Sequence, residues 1–183
     1  SPTLVSSPEK LQAMLRVLRV QPAVAVDTES NSMHAYRERV CLIQFSIPGC
    51  DYIVDPLEIQ DLTVLQPLFA DAAIEKVFHA AEYDMICLWR DFGCKVSGLF
   101  DTMMAARALG WEQVGLAAIL REQFSVSVSK RFQRADWGKR PLSVAHLAYA
   151  QLDTRYLLQL RERQAVELRQ RGQCPEVREE FDR

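Results

Sequence analysis

The sequence predicts an α/β chain built on a mixed sheet. Strand-like runs crowd its first third, helical patterns crowd its last, and the two alternate in between. At 183 residues, 49% of them hydrophobic and 25% charged, it reads as a single domain, residues 1–183, with a core of its own. No repeat, low-complexity tract or linker divides it.

Taken in order, Ser7-Pro8 before Leu11, Met14, Leu15 and Leu18 predicts a capped amphipathic helix, with Pro8 at its first position and Pro22 beyond its end. Ala23 to Glu29 alternates as a strand. Val40 to Ile47 and Asp51 to Val54 are branched, apolar runs joined at Pro48-Gly49, a hairpin signal. Ile59 to Ala70 has a helical pattern. Val77 to His79 is a short strand, and Ala80 to Phe92 a helix closed by Gly93. Asp101 to Leu109 is a helix with Asp101 as N-cap and Gly110 past its end, and Val114 to Phe124 is another. A polar segment, Ser129 to Leu142, leads into one long helix from Ser143 to Arg171, stopped by Gly172.

The bulk numbers exclude several classes. A net charge of -2 is wrong for a protein that grips nucleic acid over its whole surface, so any such grip is local. The five cysteines, Cys41, Cys50, Cys87, Cys94 and Cys174, are odd in number and form no Cys-x-x-Cys pair, as expected of reduced thiols in the cytoplasm. No apolar run reaches membrane-spanning length, and no signal peptide or anchor is expected. The first residue is not Met, which reads as a start processed or trimmed from something longer.

The chemistry gathers on four acids. In Ala23-Val24-Ala25-Val26-Asp27-Thr28-Glu29, Asp27 and Glu29 share one strand face, where they repel each other and resist burial. Asp84 neighbours Ala80, Ala81, Cys87 and Leu88 at helical spacing, so it points into the protein body. Asp153 interrupts a row of Tyr149, Tyr156, Leu157 and Leu160. Each acid alone has a plain alternative, a carboxylate bonded to a backbone N–H or a strand running out into solvent. Together, in three separate segments, they point to one shared cation site. An all-carboxylate set selects Mg²⁺ or Mn²⁺, and several acids without a histidine suggest two ions suited to attack on phosphorus. Tyr149, one turn before Asp153, places its hydroxyl beside the same ions. With a phenol pKa of ~10 it orients water rather than deprotonating it. The alternative for Tyr149 is a core tyrosine bonded locally.

Asp27-Thr28-Glu29, His79-Ala80-Ala81-Glu82-Tyr83-Asp84 and Tyr149-Ala150-Gln151-Leu152-Asp153 resemble the three exonuclease motifs of the DEDDy class, and the chain is most similar to the ribonuclease D catalytic domain. Val40 to Gln44, Phe100-Asp101-Thr102, Asp136-Trp137 with Arg140-Pro141-Leu142, and Val177 to Glu180 support the likeness, which spans nearly the whole chain. It implies a ribonuclease-H-like fold, a mixed central sheet flanked by helices with the acids at one rim. It also implies metal-dependent 3′-to-5′ hydrolysis that releases nucleoside 5′-monophosphates from structured RNA such as tRNA precursors. By the same likeness Asp27, Glu29, Asp84 and Asp153 bind two metals and Tyr149 positions the attacking water. Full-length ribonuclease D proteins carry further helical domains, absent from this chain. Ser30 stands where tRNA-trimming members often have an aromatic residue, which leaves the subfamily open.

The expected partner is the single-stranded 3′ end of RNA, with DNA as the alternative. Ser129 to Leu142 holds Lys130, Arg131, Arg134, Lys139 and Arg140 against one acid, Asp136, and Arg134 and Arg140 are the expected backbone contacts. Trp137 either stacks on a base or packs the segment down. His79 either touches the terminal nucleotide or caps a helix. Met33, His34 and Tyr36 either cradle the terminal base or are exposed loop residues. His146 reads as solvated and Asp101 as a cap rather than a ligand. An inactive nucleic-acid-binding module and a structural cation site are the readings from other classes.

Overall fold

The computed structural model describes residues 1–172, so Cys174 and the Val177 to Glu180 stretch lie outside it. Six strands form one sheet in the order β1-β4-β3-β2-β5-β6. They are β1 (Thr3–Val5), β2 (Ala23–Ser30), β3 (Val40–Ile47), β4 (Cys50–Val54), β5 (Glu75–Phe78) and β6 (Leu99–Asp101). β3 runs antiparallel to both β2 and β4, whereas β1–β4, β2–β5 and β5–β6 are parallel. The β3–β4 hairpin turns at Gly49, whose φ of 80° lies in the left-handed region that glycine enters without a Cβ clash.

The two-residue period of β2 sorts the helices. Val24 and Val26 face a core with α1 (Pro8–Leu18), α2 (Gln66–Ala70) and α3 (Ala81–Phe92), and Ala25 faces the opposite core. That second core takes apolar side chains from α4 (Thr102–Ala108), α5 (Leu116–Phe124) and α7 (Leu157–Gln170). α6 (Val144–Arg155) covers β3 and β4 on the same side as Ala150 meets Cys41, Leu42 and Ile53. α1 begins as its sequence dictates, with Pro8 in the first turn and the Ser7 hydroxyl accepting from the Lys10 N–H at 3.3 Å.

Three expectations are corrected. Residues 59–62 are not helical: the Asp61 carboxylate takes the Thr63 N–H and hydroxyl, and a short 3₁₀ turn (Thr63–Leu65) leads into α2. Strands β1 and β6 escaped the sequence reading because each is three residues long. The long final helix is two helices, α6 and α7, which break at Tyr156 (φ -105°, ψ -1°), where its ring packs on Phe124 at 5.2 Å. Among the described residues no helix is long and apolar enough to cross a membrane.

Asp101 holds two helix starts at once. Its carboxylate accepts from Ala80 N (3.0 Å) and Ala81 N (2.8 Å) at the head of α3, and from Met103 N (2.9 Å) and Met104 N (3.3 Å) at the head of α4. Ala80 sits at φ 60°, ψ 63°, a strained backbone for a residue with a Cβ, and two of those four bonds pin it and its successor. Losing the carboxylate uncaps both helices and releases Ala80. Asp101→Ala is therefore expected to lower unfolding free energy by about 2–4 kcal/mol in urea titrations, against about 1 kcal/mol for removal of the single surface cap in Ser7→Ala.

Candidate metal centre and active site

The sequence folds β2 so that its last residues pass beyond the strand that flanks it. β5 accompanies β2 only from Ala23 to Ala25, so Val26 to Glu29 have a free edge on that side. α3 starts just after β5 and delivers Asp84 to this edge in its first turn, where the helix dipole favours a negative charge. α6 crosses above and delivers Tyr149 and Asp153. The site thus lies beyond the C-terminal ends of parallel strands, as ligand sites in α/β sheets do.

Three of the four predicted acids converge tightly: carboxylate oxygens of Asp27, Glu29 and Asp153 all lie within 4.8 Å of one another. Asp84 joins them from the free edge, next to Asp27 and bonded by the Thr28 hydroxyl. Glu29 and Asp27 each come within hydrogen-bonding reach of Asp153. Carboxylates so close must share protons or a cation, and their acidities reflect that. Burial first, then the charges of Asp84, Asp153 and Glu29, pushes Asp27 well above the usual carboxylate range. Burial followed by Asp153 does the same to Glu29. Asp153 is raised by burial, and Asp84 is raised by burial to about 7 despite the bonds from Thr28. The donors are all oxygen and the excess charge is negative, which fits a hard divalent cation.

α6 is held over the site by polar contacts rather than an apolar stripe. Gln44 Nε2 donates to Asp153 Oδ2 at 3.3 Å, Ser46 and Thr154 hydroxyls meet at 2.6 Å, and Gln151 donates to Asp51 at 2.5 Å. The buried side of the helix is Ala150, Gln151 and Thr154, so the apolar row expected around Asp153 is not what faces the sheet. Tyr149 stands half-buried between the acids and an aromatic group. Its ring lies nearly parallel to Trp137 (6.1 Å, 21°) and against Phe132 (5.7 Å). Burial, then Asp153, Glu29 and Asp27, raises its pKa, so the hydroxyl keeps its proton at neutral pH.

The predicted substrate contacts divide. Arg140 is spent internally: its five N–H groups reach both oxygens of Asp55 (2.9 and 2.8 Å) and the carbonyls of Trp137 (2.6 Å), Lys139 (2.8 Å) and Cys41 (2.9 Å). It roots the 129–142 segment on the sheet and has no donor left for a phosphate. Trp137 is 3% exposed, which favours packing over base stacking. His79 meets neither expectation, since its Nδ1 bonds the Thr102 hydroxyl at 2.8 Å, its Nε2 is enclosed, and Asp101 caps α3 instead. His146 is not merely solvated: it bonds Ser143 at 2.5 Å and packs against Phe132 at 4.3 Å. Met33 and Tyr36 are exposed, and His34 Nε2 meets the Arg134 carbonyl at 3.0 Å, bridging two loops. Arg134 is exposed, and among the described residues no ion pair engages Lys130, Arg131, Arg134 or Lys139. A groove of about 550 Å³ opens between the loops, lined in part by His34, Arg131, Phe132 and Lys139.

The roles of Gln44, Thr28 and Asp55 are not apparent from the sequence. The only visible signals are a Gln in a mostly apolar strand and a Thr between two acids.

The comparisons with known proteins agree with this geometry. Residues 2–169 match a family model described as 3′-5′ exonuclease. The exosome complex exonuclease RRP6 of Saccharomyces cerevisiae is 41% identical over 160 residues, covering 87% of this chain and 22% of its own length. Like it, the other leading curated relatives are about five times longer than the span they share with this chain. The crystal structure of Escherichia coli RNase D, an exoribonuclease involved in structured RNA processing, superposes with a TM-score of 0.91 at 29% identity, covering 98% of this chain and 48% of that one. Brucella melitensis NrnC, solved with bound Mg²⁺, gives 0.80 at 28% identity, covering 98% and 87%.

The acid cluster makes metal-free stability depend on pH. Asp84 titrates at 3.8 when unperturbed and at about 7 here, and the other three acids are raised too. Between those values the folded chain keeps protons that the unfolded chain has released, so raising pH withdraws stability. His79, lowered by burial below 6.5, acts in the opposite direction only beneath that pH. In chelator the melting temperature is expected to fall from about pH 6.5 to about pH 8, less steeply in Asp84→Asn, and added Mg²⁺ should raise it more at the higher pH. A melting temperature that climbs over this interval in chelator contradicts the expected proton sharing.

Proposed function

Since the chain belongs to the 3′-5′ exonuclease family, in its ribonuclease D-like DEDDy branch, we propose that it is a metal-dependent 3′-5′ exoribonuclease. The observation that carries this reading is the meeting of Asp27, Glu29 and Asp153 within 4.8 Å, with Asp84 beside Asp27 and Tyr149 at the edge. Its substrate is the single-stranded 3′ end of structured RNA, tRNA precursors among them, and its setting is the cytoplasm. The likeness to Escherichia coli RNase D, an exoribonuclease involved in structured RNA processing, supports the first.

The four acids would hold two Mg²⁺ or Mn²⁺ ions. When bound, such ions supply an activated water and charge stabilisation at the departing 3′ oxygen. Tyr149, protonated because burial and the acids raise its pKa, directs the water by its hydroxyl without taking a proton from it. Water adds at phosphorus and gives up a proton to solvent, the P–O3′ bond breaks, the 3′ oxygen takes a proton from solvent, and a nucleoside 5′-monophosphate leaves. Lys130, Arg131, Arg134 and Lys139, which join no ion pair among the described residues, and the groove beside them guide the strand by its phosphates.

A time course on 5′-labelled RNA and DNA of one sequence tests this. RNA should shorten from its 3′ end in Mg²⁺, faster than DNA, and stay intact in chelator or with Asp153→Asn. RNA that binds but never shortens makes the chain a binding module instead. Replacing Lys130, Arg131 and Arg134 by Gln should flatten the salt dependence of RNA binding by about 0.7 in log–log slope for each phosphate no longer neutralised. Arg140→Lys should instead lower the melting temperature and leave that slope alone, because its partners are Asp55 and three carbonyls.

A further inference from the structure

One side chain beneath α6 is costly to bury for the contacts it gives the fold. Gln44 lies mid-strand in β3, fully buried and paired across the sheet with Asp27. Its Nε2 donates to Asp153 Oδ2 at 3.3 Å and lies 3.5 Å from the Ala150 carbonyl, while its Oε1 is enclosed without a hydrogen-bond partner among the described residues. Ser46, two residues on, shows what a satisfied polar group looks like in the same strand: its hydroxyl meets both Asp51 and Thr154 at 2.6 Å. An enclosed carbonyl with no donor opposes folding, and a Met or Leu of similar volume would fill the position without it. Stability alone therefore disfavours glutamine here.

We infer that Gln44 is a positioning residue for the metal centre, acting through Asp153. Asp153 is the acid that Asp27 and Glu29 both approach, and it stands on a separate helix, so its rotamer decides whether the three carboxylates meet. Gln44 restrains one of its oxygens from the sheet below, and leaves the remaining lone pairs for the cation. A neutral donor does this without adding charge. A lysine would compete with the cation for the acids, and an asparagine is one methylene too short. The catalytic part of this inference rests on the exonuclease reading; the metal-binding part does not.

The test is Gln44→Met, with Gln44→Leu as a second variant should the first not fold. Mn²⁺ affinity is followed by electron paramagnetic resonance, melting temperature in chelator, and RNA hydrolysis at steady state. Mn²⁺ affinity should weaken by roughly 10–100-fold. The value of kcat should fall with KM unchanged, and the chelated melting temperature should stay level or rise. Unchanged Mn²⁺ affinity, or a loss that merely tracks a falling melting temperature across both variants, overturns the inference. If wild type and variant both leave RNA intact while only the variant loses Mn²⁺ affinity, the exonuclease reading fails and the positioning role stands.

Discussion

The constraint on which this molecule turns is the burial of carboxylates side by side. Burial raises the pKa of Asp27, Glu29, Asp84 and Asp153 alike, and neighbouring charges raise the first three further. Their contacts with one another favour that arrangement only while a proton or a cation is shared between them. It persists because each acid is delivered by an element fixed elsewhere: β2 by the apolar cores on its two faces, α3 by its cap, α6 by its contacts with β3 and β4. The fold supplies the free energy, and the site holds it as electrostatic strain that a divalent cation relieves.

The contacts around the acids are mostly neutral. The Thr28 hydroxyl serves Asp84 and the Gln44 amide serves Asp153, whereas the strong guanidinium of Arg140 is committed to Asp55 at a distance from the centre. That division has a physical logic. A positive side chain inside the cluster would neutralise it permanently and remove the demand for metal. A neutral donor orients an oxygen and leaves the charge in place. The aromatic group of Phe132, Trp137 and His146 plays a similar part for Tyr149, confining its ring by contact alone.

What was legible in the sequence follows from range. Local patterns read well: the Ser7-Pro8 cap, the β3–β4 hairpin, the Gly93 and Gly110 stops, and Asp101 as a cap. The four acids were legible because each broke a pattern. What escaped depended on partners far along the chain. Arg140 looked like a phosphate contact because Asp55, 85 positions away, could not be seen to occupy it. His79 was undecided for want of Thr102. The α6–α7 break was hidden because α6 seats on the sheet through Gln151 and Thr154, so its helical period carries little apolar signal. β1 and β6 are too short to show alternation, and they exist because neighbouring strands complete their hydrogen bonds.

Asp101 couples two helices that the chain could otherwise move separately. With α3 and α4 starting on the same carboxylate, neither can tilt without dragging the other, and Asp84 travels with them. The 31–39 loop belongs to the same unit, because Glu38 pairs with Arg90 of α3 at 3.0 Å. The strand's way in is then the groove between that loop and the 129–142 segment, spanned by the His34–Arg134 contact.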